Sequence, residues 1–333
     1  MNTPRVSVAL CTRNGAIFVA AQIDSVLRQS ELPSQIVLSD DASTDETVAI
    51  ITGAVADFRS ANPSAEVELV TLRNTPPLGV SKNFEQAILA STGDLIALCD
   101  QDDVWMDDRI SIMTAEFVAR PDLALLHSDA ILIDADGVAT GATLFEALDL
   151  SGPSQRAIHL GGAFDELLRR NLVTGATTMF RRSLMSAAGP FPRTWLHDEW
   201  LAIVAATIAK VDFIPKPLTL YRQHGANEIG VAPLSIVGKL RRMLEPGTRR
   251  NQMLLLRAVE LDARIIFLTT DEIKILAVRN KLKHERLRST LSATRLLRFR
   301  PVIRELKTGR YSAFGRGPTD ALRDLLQPLG TSR

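Results

Sequence analysis

The sequence predicts an α/β fold, with a mostly parallel central sheet covered by helices on both faces and followed by a basic helical region. Three observations predict it. Apolar runs of strand length alternate with helix-period segments over the first 130 or so residues, and parallel strands need such crossover connections. Polar clusters, CTRNG, SDDASTDET and CDQDDVW, follow three of those runs directly. Composition then changes near residue 231. Residues 231–333 hold 22 Lys and Arg against 9 Asp and Glu, which leaves 17 against 29 for residues 1–230, so a net charge of +1 conceals an acidic body and a basic tail.

In chain order the strands are VSVAL at 6–10, IVLS at 36–39, VELVTL at 67–72, LIALC at 95–99 and LALLHSD at 123–129. Helices are expected between them at about 16–29, 44–60, 81–91 and 107–118. Ser43 with Thr44 and Glu46 marks one helix start, and Ser81 with Glu85 another. DADG at 134–137 reads as a tight turn. Beyond residue 150 a helix near 163–170, a strand at VTGATTMFRR, a helix over 198–210 and a strand through VDFIPKPLTLYR are expected. From about residue 234 the chain reads as helical, with LRRML, LLLRAVELDARIIFL and KILAVRNKLKHERLRSTLSATRLLRFR.

A chain of 333 residues with 46% apolar content can build a sizeable core. No stretch reaches the roughly 18 apolar residues of a membrane span, and MNTPRVSVAL lacks the layout of a signal peptide, so a cytoplasmic protein is expected. Cys11 and Cys99 cannot form a disulfide framework and read as buried thiols. A dinucleotide-binding G-x-G-x-x-G is missing after the first strand, and no phosphate-cradling G-x-x-x-x-G-K-[ST] occurs.

The stretch LIALCDQDDVW ends an apolar strand in Asp100, Asp102 and Asp103, with Asp107 close behind, and that much negative charge needs a counter-charge. Carboxylates favour a helix's first turn, which is the plain structural reading. Ligands of open parallel sheets bind beyond the carboxyl ends of strands, where all three polar clusters would converge. Mg²⁺ or Mn²⁺ suits such a loop, because it takes one or two carboxylates and completes its shell with water and phosphate. The counter-charge would then be a divalent ion bearing a diphosphate.

VSVALCTRNG, AAQIDSVLRQS, IVLSDDASTDET, LGVSKNFEQAILASTGDLIALCDQDDVW and HDEW together resemble the family 2 glycosyltransferases, which have the GT-A nucleotide-diphospho-sugar transferase fold. The resemblance covers residues 5 to about 230, which implies a GT-A domain over 1–230 and a basic helical region over 231–333. CDQDDVW, FPRTWLHDEWLA and YRQHGANEIG are similar to bacterial members described as rhamnosyltransferase-like, which act in surface polysaccharide assembly.

Residue by residue, the resemblance implies that Asp100 and Asp102 are the outer residues of the D-x-D motif, Asp102 the direct metal ligand and Asp100 near the ribose or the metal's water shell. Thr12, Arg13, Asp40 and Asp41 would line the nucleotide, unless Asp40 and Asp41 cap the next helix, a task that suits Asp45 better. Asp198 would be the catalytic base of an inverting displacement. Glu199 points about 100° away on a helix and cannot serve the same role. Arg222 and His224 are candidate phosphate or metal contacts, or else a solvated arginine and a surface histidine. Trp105 and Trp195 are either sugar-stacking platforms or buried anchors, and His197 is expected to pack beside Trp200. Q-x-x-R-W and the membrane helices of processive members are missing, which implies one sugar per event.

The implied partners are a dTDP- or UDP-sugar donor, with dTDP-rhamnose first, and a glycan or lipid-linked glycan acceptor. The basic tail suits either the inner face of the cytoplasmic membrane or the acidic body of the chain itself. Nucleic acid is not expected, because aromatics are sparse there and no recognition motif appears. Two other readings are a nucleotide-sugar-binding protein without transferase activity and a nucleotidyltransferase, the latter lacking its glycine-rich loop.

Overall fold

The computed structural model describes residues 3–224 and 248–328. The chain forms two compact units, Met1–Ala163 with Leu172–Ala232, and Phe164–Asn171 with Pro233–Arg333.

In the first unit, β1 (Val6–Thr12), β2 (Gln35–Asp40), β3 (Glu68–Arg73) and β4 (Leu95–Cys99) lie parallel in the order β3-β2-β1-β4. The helices α1 (Val19–Leu27), α2 (Thr47–Ala61) and α3 (Val80–Ala90) make the crossovers. Every residue of β1, β2 and β4 is buried, which explains their unbroken apolar runs, whereas the edge strand β3 has exposed and half-buried positions. Val8, Leu10, Ile23, Ile36, Ile51 and Phe117 form part of the core, and each such side chain stabilises the fold by about 1.5–3 kcal/mol.

The second half of the sheet departs from the expected parallel pattern. After β5 (Val104–Trp105) and α4 (Arg109–Ala119) come the long β6 (Leu123–Ile133) and β7 (Ala139–Thr143). Short helices α5 (Leu144–Ala147), α6 (Gly152–Ala157) and α7 (Ala163–Arg169) lead to β8 (Thr178–Arg181), α8 (Met185–Ala188), α9 (His197–Ile208) and β9 (Lys210–Arg222). β8 arrives from a loop and inserts antiparallel between β4 and β6; β9 runs parallel to β6, and β5 antiparallel to β9. The sheet is therefore mixed. β7 returns along β6 through the DADG turn, where Asp134 Oδ1 accepts the N–H groups of Asp136 and Val138 and Gly137 takes φ of 85°.

Other boundaries moved for local reasons. The expected strand VTGATTMFRR holds extended pairing only over Thr178–Arg181, behind a 3₁₀ turn at Gly175–Thr177. α3 starts behind Gly79, and Glu85 does not cap it but accepts the Phe191 N–H at 2.6 Å. Ser43 binds Asp40 instead of the first turn of α2.

In the second unit, α10 (Thr248–Leu268) and α11 (Glu272–Ser289) form a helical hairpin, followed by α12 (Arg295–Lys307), α13 (Arg310–Phe314) and α14 (Pro318–Leu326). The run 274–300 is two helices, separated at Thr290, whose hydroxyl binds the Arg286 and Leu287 carbonyls. Leu291, Val302, Tyr311 and Ala321 form a small core. Beside it Arg288 is buried against Asp324 at 2.7 Å and Glu285 at 3.3 Å, and Tyr311 donates to Asp324 at 2.9 Å. LRRML, at 240–244, and the end of YRQHGANEIG lie outside the described residues. No described helix is long and apolar enough to cross a membrane.

Candidate active site

The loops that follow β1 and β2 are knitted together by side chains. Thr12 Oγ1 donates to Asp40 Oδ1 at 2.8 Å, and the Ser43 N–H donates to Asp40 Oδ2 at 2.9 Å. Asn14, at φ 47°, donates its N–H to Ser43 Oγ and accepts the Thr44 N–H; the N–H of Gly15 reaches Thr47 Oγ1 at 2.8 Å. Asp45, just ahead of the N-cap position Glu46, accepts the N–H groups of Ala16 and of Thr47, the first residue of α2. Asp41 instead accepts the N–H groups of Leu78 at 2.6 Å and Gly79 at 2.9 Å, so it secures the approach to α3. Thr12, Asp40 and Asp41 are all buried, and these bonds make them the framework of the crevice, while Arg13 is exposed.

A third loop is locked to the first. Gln101 accepts the Arg13 N–H at 2.8 Å and donates to the Arg13 carbonyl at 3.1 Å. A Cβ at position 15 would fall 2.3 Å from Gln101 Oε1, so a larger residue there would displace the Gln101 amide from this lock.

The acidic loop after β4 has two arginines under it. Arg222 donates its N–H to Asp103 Oδ1 at 2.9 Å and its Nε–H to the Asp102 carbonyl at 2.8 Å; Nη1 reaches the Ala135 carbonyl at 3.0 Å. Its guanidinium lies 5.0 Å from the Phe18 ring. Arg222 thus ties the acidic loop to the β6–β7 turn. Arg109 is the buried counter-charge: fully enclosed, it donates through Nη1 to the Ala176 carbonyl and Thr219 Oγ1 and lies 4.0 Å over Trp105. Burial lowers its pKa to about 10, against the pull of Cys99, Asp103 and Asp100. Trp105 is consequently an anchor at 2% exposure and not a sugar platform.

Asp102 and His224 meet, with Oδ2 and Nε2 2.7 Å apart and both side chains still partly reachable by solvent. The His224 ring stacks on Phe18 at 4.7 Å. Asp100 is pushed up to about 8, first by burial and then by Asp102 and Asp198, with Arg109 opposing. Asp103 is raised for the same first reason. Asp100, Asp102 and Asp198 therefore share one electrostatic neighbourhood, drawn from the end of β4 and the first turn of α9.

Asp198 is held on both oxygens. Oδ2 accepts the Gly175 N–H at 2.9 Å and Oδ1 the Glu199 N–H at 2.7 Å. His197 is buried and stacks on Phe84 at 3.9 Å, and burial lowers its pKa. Trp195, half-buried, meets Trp200 edge-on at 5.5 Å.

Among the described residues no three His, Cys, Asp or Glu side chains converge as a ready metal cage. The donor set nonetheless fits a hard divalent ion: mutually repelling carboxylates and one imidazole give one or two protein ligands, and Mg²⁺ ordinarily takes the rest from water and phosphate. A shallow depression of about 470 Å³ lined by Arg5, Ser34, Arg59 and Glu66–Glu68 lies at the opposite, N-terminal ends of β1–β3 and shares none of these groups.

Sequence reasoning missed Arg109, Gln101, Phe18 and Gly175. The only local signal was at Gly175, a glycine inside an expected strand.

Comparison with known proteins agrees with this architecture. The dTDP-rhamnosyl transferase RfbG of Shigella flexneri is 26% identical over 245 residues, covering 70% of this chain and 78% of that protein. An uncharacterised protein of Mycobacterium tuberculosis is 24% identical over 222 residues, and the match spans 66% of this chain but only 59% of that relative's length. Among solved structures, Staphylococcus aureus TarS in complex with UDP-GlcNAc superposes with a TM-score of 0.57 at 14% identity, over 96% of this chain and 88% of that one. A Pyrobaculum calidifontis mannosyltransferase in complex with GDP-Man and Mn²⁺ gives 0.52 at 16% identity, over 98% and 85%. These likenesses establish the GT-A fold. The profile described as glycosyl transferase family 2 matches residues 7–185, the span that holds the parallel half of the sheet and its three knitted loops, and the chain belongs to that family.

Proposed function

We propose that this protein is a metal-dependent glycosyltransferase that moves one sugar per event from a nucleotide-sugar donor to a glycan acceptor hydroxyl, with inversion. The observation that supports it most is the shared electrostatic neighbourhood of Asp100, Asp102 and Asp198, two carboxylates just after β4 and a third in the first turn of α9. Asp102 and His224 would hold Mg²⁺ or Mn²⁺, with Asp100 at the ribose or the ion's water shell. Such an ion, when bound, stabilises negative charge on a leaving nucleoside diphosphate.

The chain's own groups account for the remainder. Asp198 takes the proton from the acceptor hydroxyl as that oxygen attacks the anomeric carbon and the bond to the diphosphate oxygen breaks. The N–H groups of Gly175 and Glu199 aim its carboxylate. Thr12, Asp40 and Asp41 keep the nucleotide side of the crevice in shape, and Arg13 is an exposed cation at its rim. Arg222 and Arg109 hold the acidic loop in place before any ion arrives. The name of the Shigella relative favours dTDP-rhamnose as donor, and the basic tail favours a lipid-linked acceptor at the inner membrane surface.

The test is release of nucleoside diphosphate from dTDP-, UDP- and GDP-sugars with Mn²⁺ or Mg²⁺ and a polyprenyl-diphosphate glycan acceptor. Asp102→Ala and Asp198→Ala are run alongside. Metal-dependent turnover of one donor, lost in both variants, is expected. Release of pyrophosphate would make the protein a nucleotidyltransferase, and failure to bind any nucleotide sugar with metal present would sink the reading.

A further inference from the structure

We propose that the exposed face of α12 is a membrane-docking surface that takes anionic phospholipid headgroups and the acyl region just beneath them. The proposal deepens the membrane element of the function above, and its test does not depend on sugar transfer.

Three large apolar side chains at the start of α12 point into solvent: Leu296 is 87% exposed, Leu297 65% and Phe299 62%. Leaving them there forfeits about 1.5 kcal/mol or more each relative to burial. They are not a frayed end. Arg298, between them, is 1% exposed, and its guanidinium donates to the carbonyls of Ser292, Ala293, Asp324 and Gln327, which pins the first turn and holds its neighbours outward.

The charge on this helix is sorted as well. At 100° per residue, Leu296, Arg300, Arg304 and Lys307 share the side opposite the buried Arg298, Val302 and Glu305, with Leu297 and Phe299 on its flanks. Arg295, Arg300, Arg304 and Lys307 are all exposed, and none is in an ion pair with a described residue. The helix's one acid, Glu305, is 2% exposed and occupied by His284 at 2.8 Å. The outward charges are therefore cationic without exception.

An apolar wedge ringed by cations and free of carboxylates is complementary to an anionic bilayer surface, where the cations meet phosphate and the apolar side chains enter the acyl boundary. A nucleic acid would use the cations and leave the Leu-Leu-Phe wedge in water. A 13-residue helix at 1.5 Å per residue spans about 20 Å, which lets it lie in the interface but not cross it.

The test uses the full chain and co-sedimentation with vesicles of phosphatidylglycerol and of phosphatidylcholine. Binding to the phosphatidylglycerol vesicles alone is expected, weakening with salt. The triple variant Leu296→Ser, Leu297→Ser, Phe299→Ser should lower the partition coefficient by more than about tenfold. Arg300→Gln with Arg304→Gln should lower it by about fivefold per arginine removed. All five positions are exposed, so thermal unfolding should not move; if the triple variant does unfold, the arginine pair decides alone. No binding by the wild type, or equal binding by both variants, overturns the proposal. Retention of a 30-base-pair DNA duplex that depends on the arginines, with no vesicle binding, assigns the surface to nucleic acid and overturns it too. Donor binding measured on the same preparations reports separately on the site in the first unit.

Discussion

The carboxylate of Asp198 accepts its hydrogen bond from the N–H of Gly175, 23 residues earlier in the chain, at 2.9 Å. A Cβ at 175 would fall 2.8 Å from His197 Nε2, and His197 is wedged against Phe84. Gly175→Ala must therefore shift either the imidazole or the backbone that orients Asp198. Because general base catalysis contributes about 10²–10⁴, kcat in the variant should fall by roughly 10²-fold with donor affinity unchanged, as measured by steady-state kinetics and calorimetry. A normal kcat would remove the orienting role.

Asp102 and His224, 2.7 Å apart, should behave as a unit toward metal. Chelation with EDTA should abolish nucleotide-sugar binding, and His224→Ala should raise the Mn²⁺ concentration for half-maximal binding by about tenfold or more. Isothermal titration of Mn²⁺ into wild type and variant checks both expectations.

Arg109 is the charge on which the acidic loop rests. Arg109→Met removes the donor that satisfies the buried Ala176 carbonyl and Thr219 hydroxyl, so the first unit should lose about 1–3 kcal/mol in urea unfolding. Arg109→Lys should recover little of this, since a lysine cannot both bond the Ala176 carbonyl and Thr219 and lie flat on Trp105.

His127 sets an acid limit on stability. It is buried against Phe145 and Phe213 with neither ring nitrogen bonded to a described residue; burial depresses its pKa from 6.5 to about 4, and Asp212, itself paired with Arg120, opposes only weakly. Below pH 6.5 the unfolded chain takes up a proton that the folded chain refuses until about pH 4. Stability is thus lost as pH falls through that window, by up to about 1.4 kcal/mol per pH unit. His127→Phe should flatten this slope and raise the melting temperature at pH 5, as read by circular dichroism.

The parallel half of the sheet was legible because β1, β2 and β4 are buried on both faces and read as unbroken apolar runs, and because Asp45 and the DADG turn obey local chemistry. Asp100, Asp102, Asp198 and His224 were legible as motifs, and the structure brings the first three into one field and joins His224 to Asp102. What escaped the sequence depends on partners far apart along the chain. Arg109 looks like any first-turn arginine until Ala176 and Thr219, 67 and 110 residues away, close on it. Gln101 and Phe18 gain meaning only when loops 80 or more residues apart meet. Asp40 and Asp41 looked alike side by side, yet alternation along the backbone sends one to Thr12 and the other to Leu78 and Gly79.

The insertion of β8 beside β4 has a mechanical consequence. The strand that ends just before Asp100 and the strand that follows Gly175 are hydrogen-bonded neighbours, so their backbones are one strand spacing of about 4.8 Å apart. A gauge of that kind is set once, at folding, and needs no hinge to reset it on each cycle.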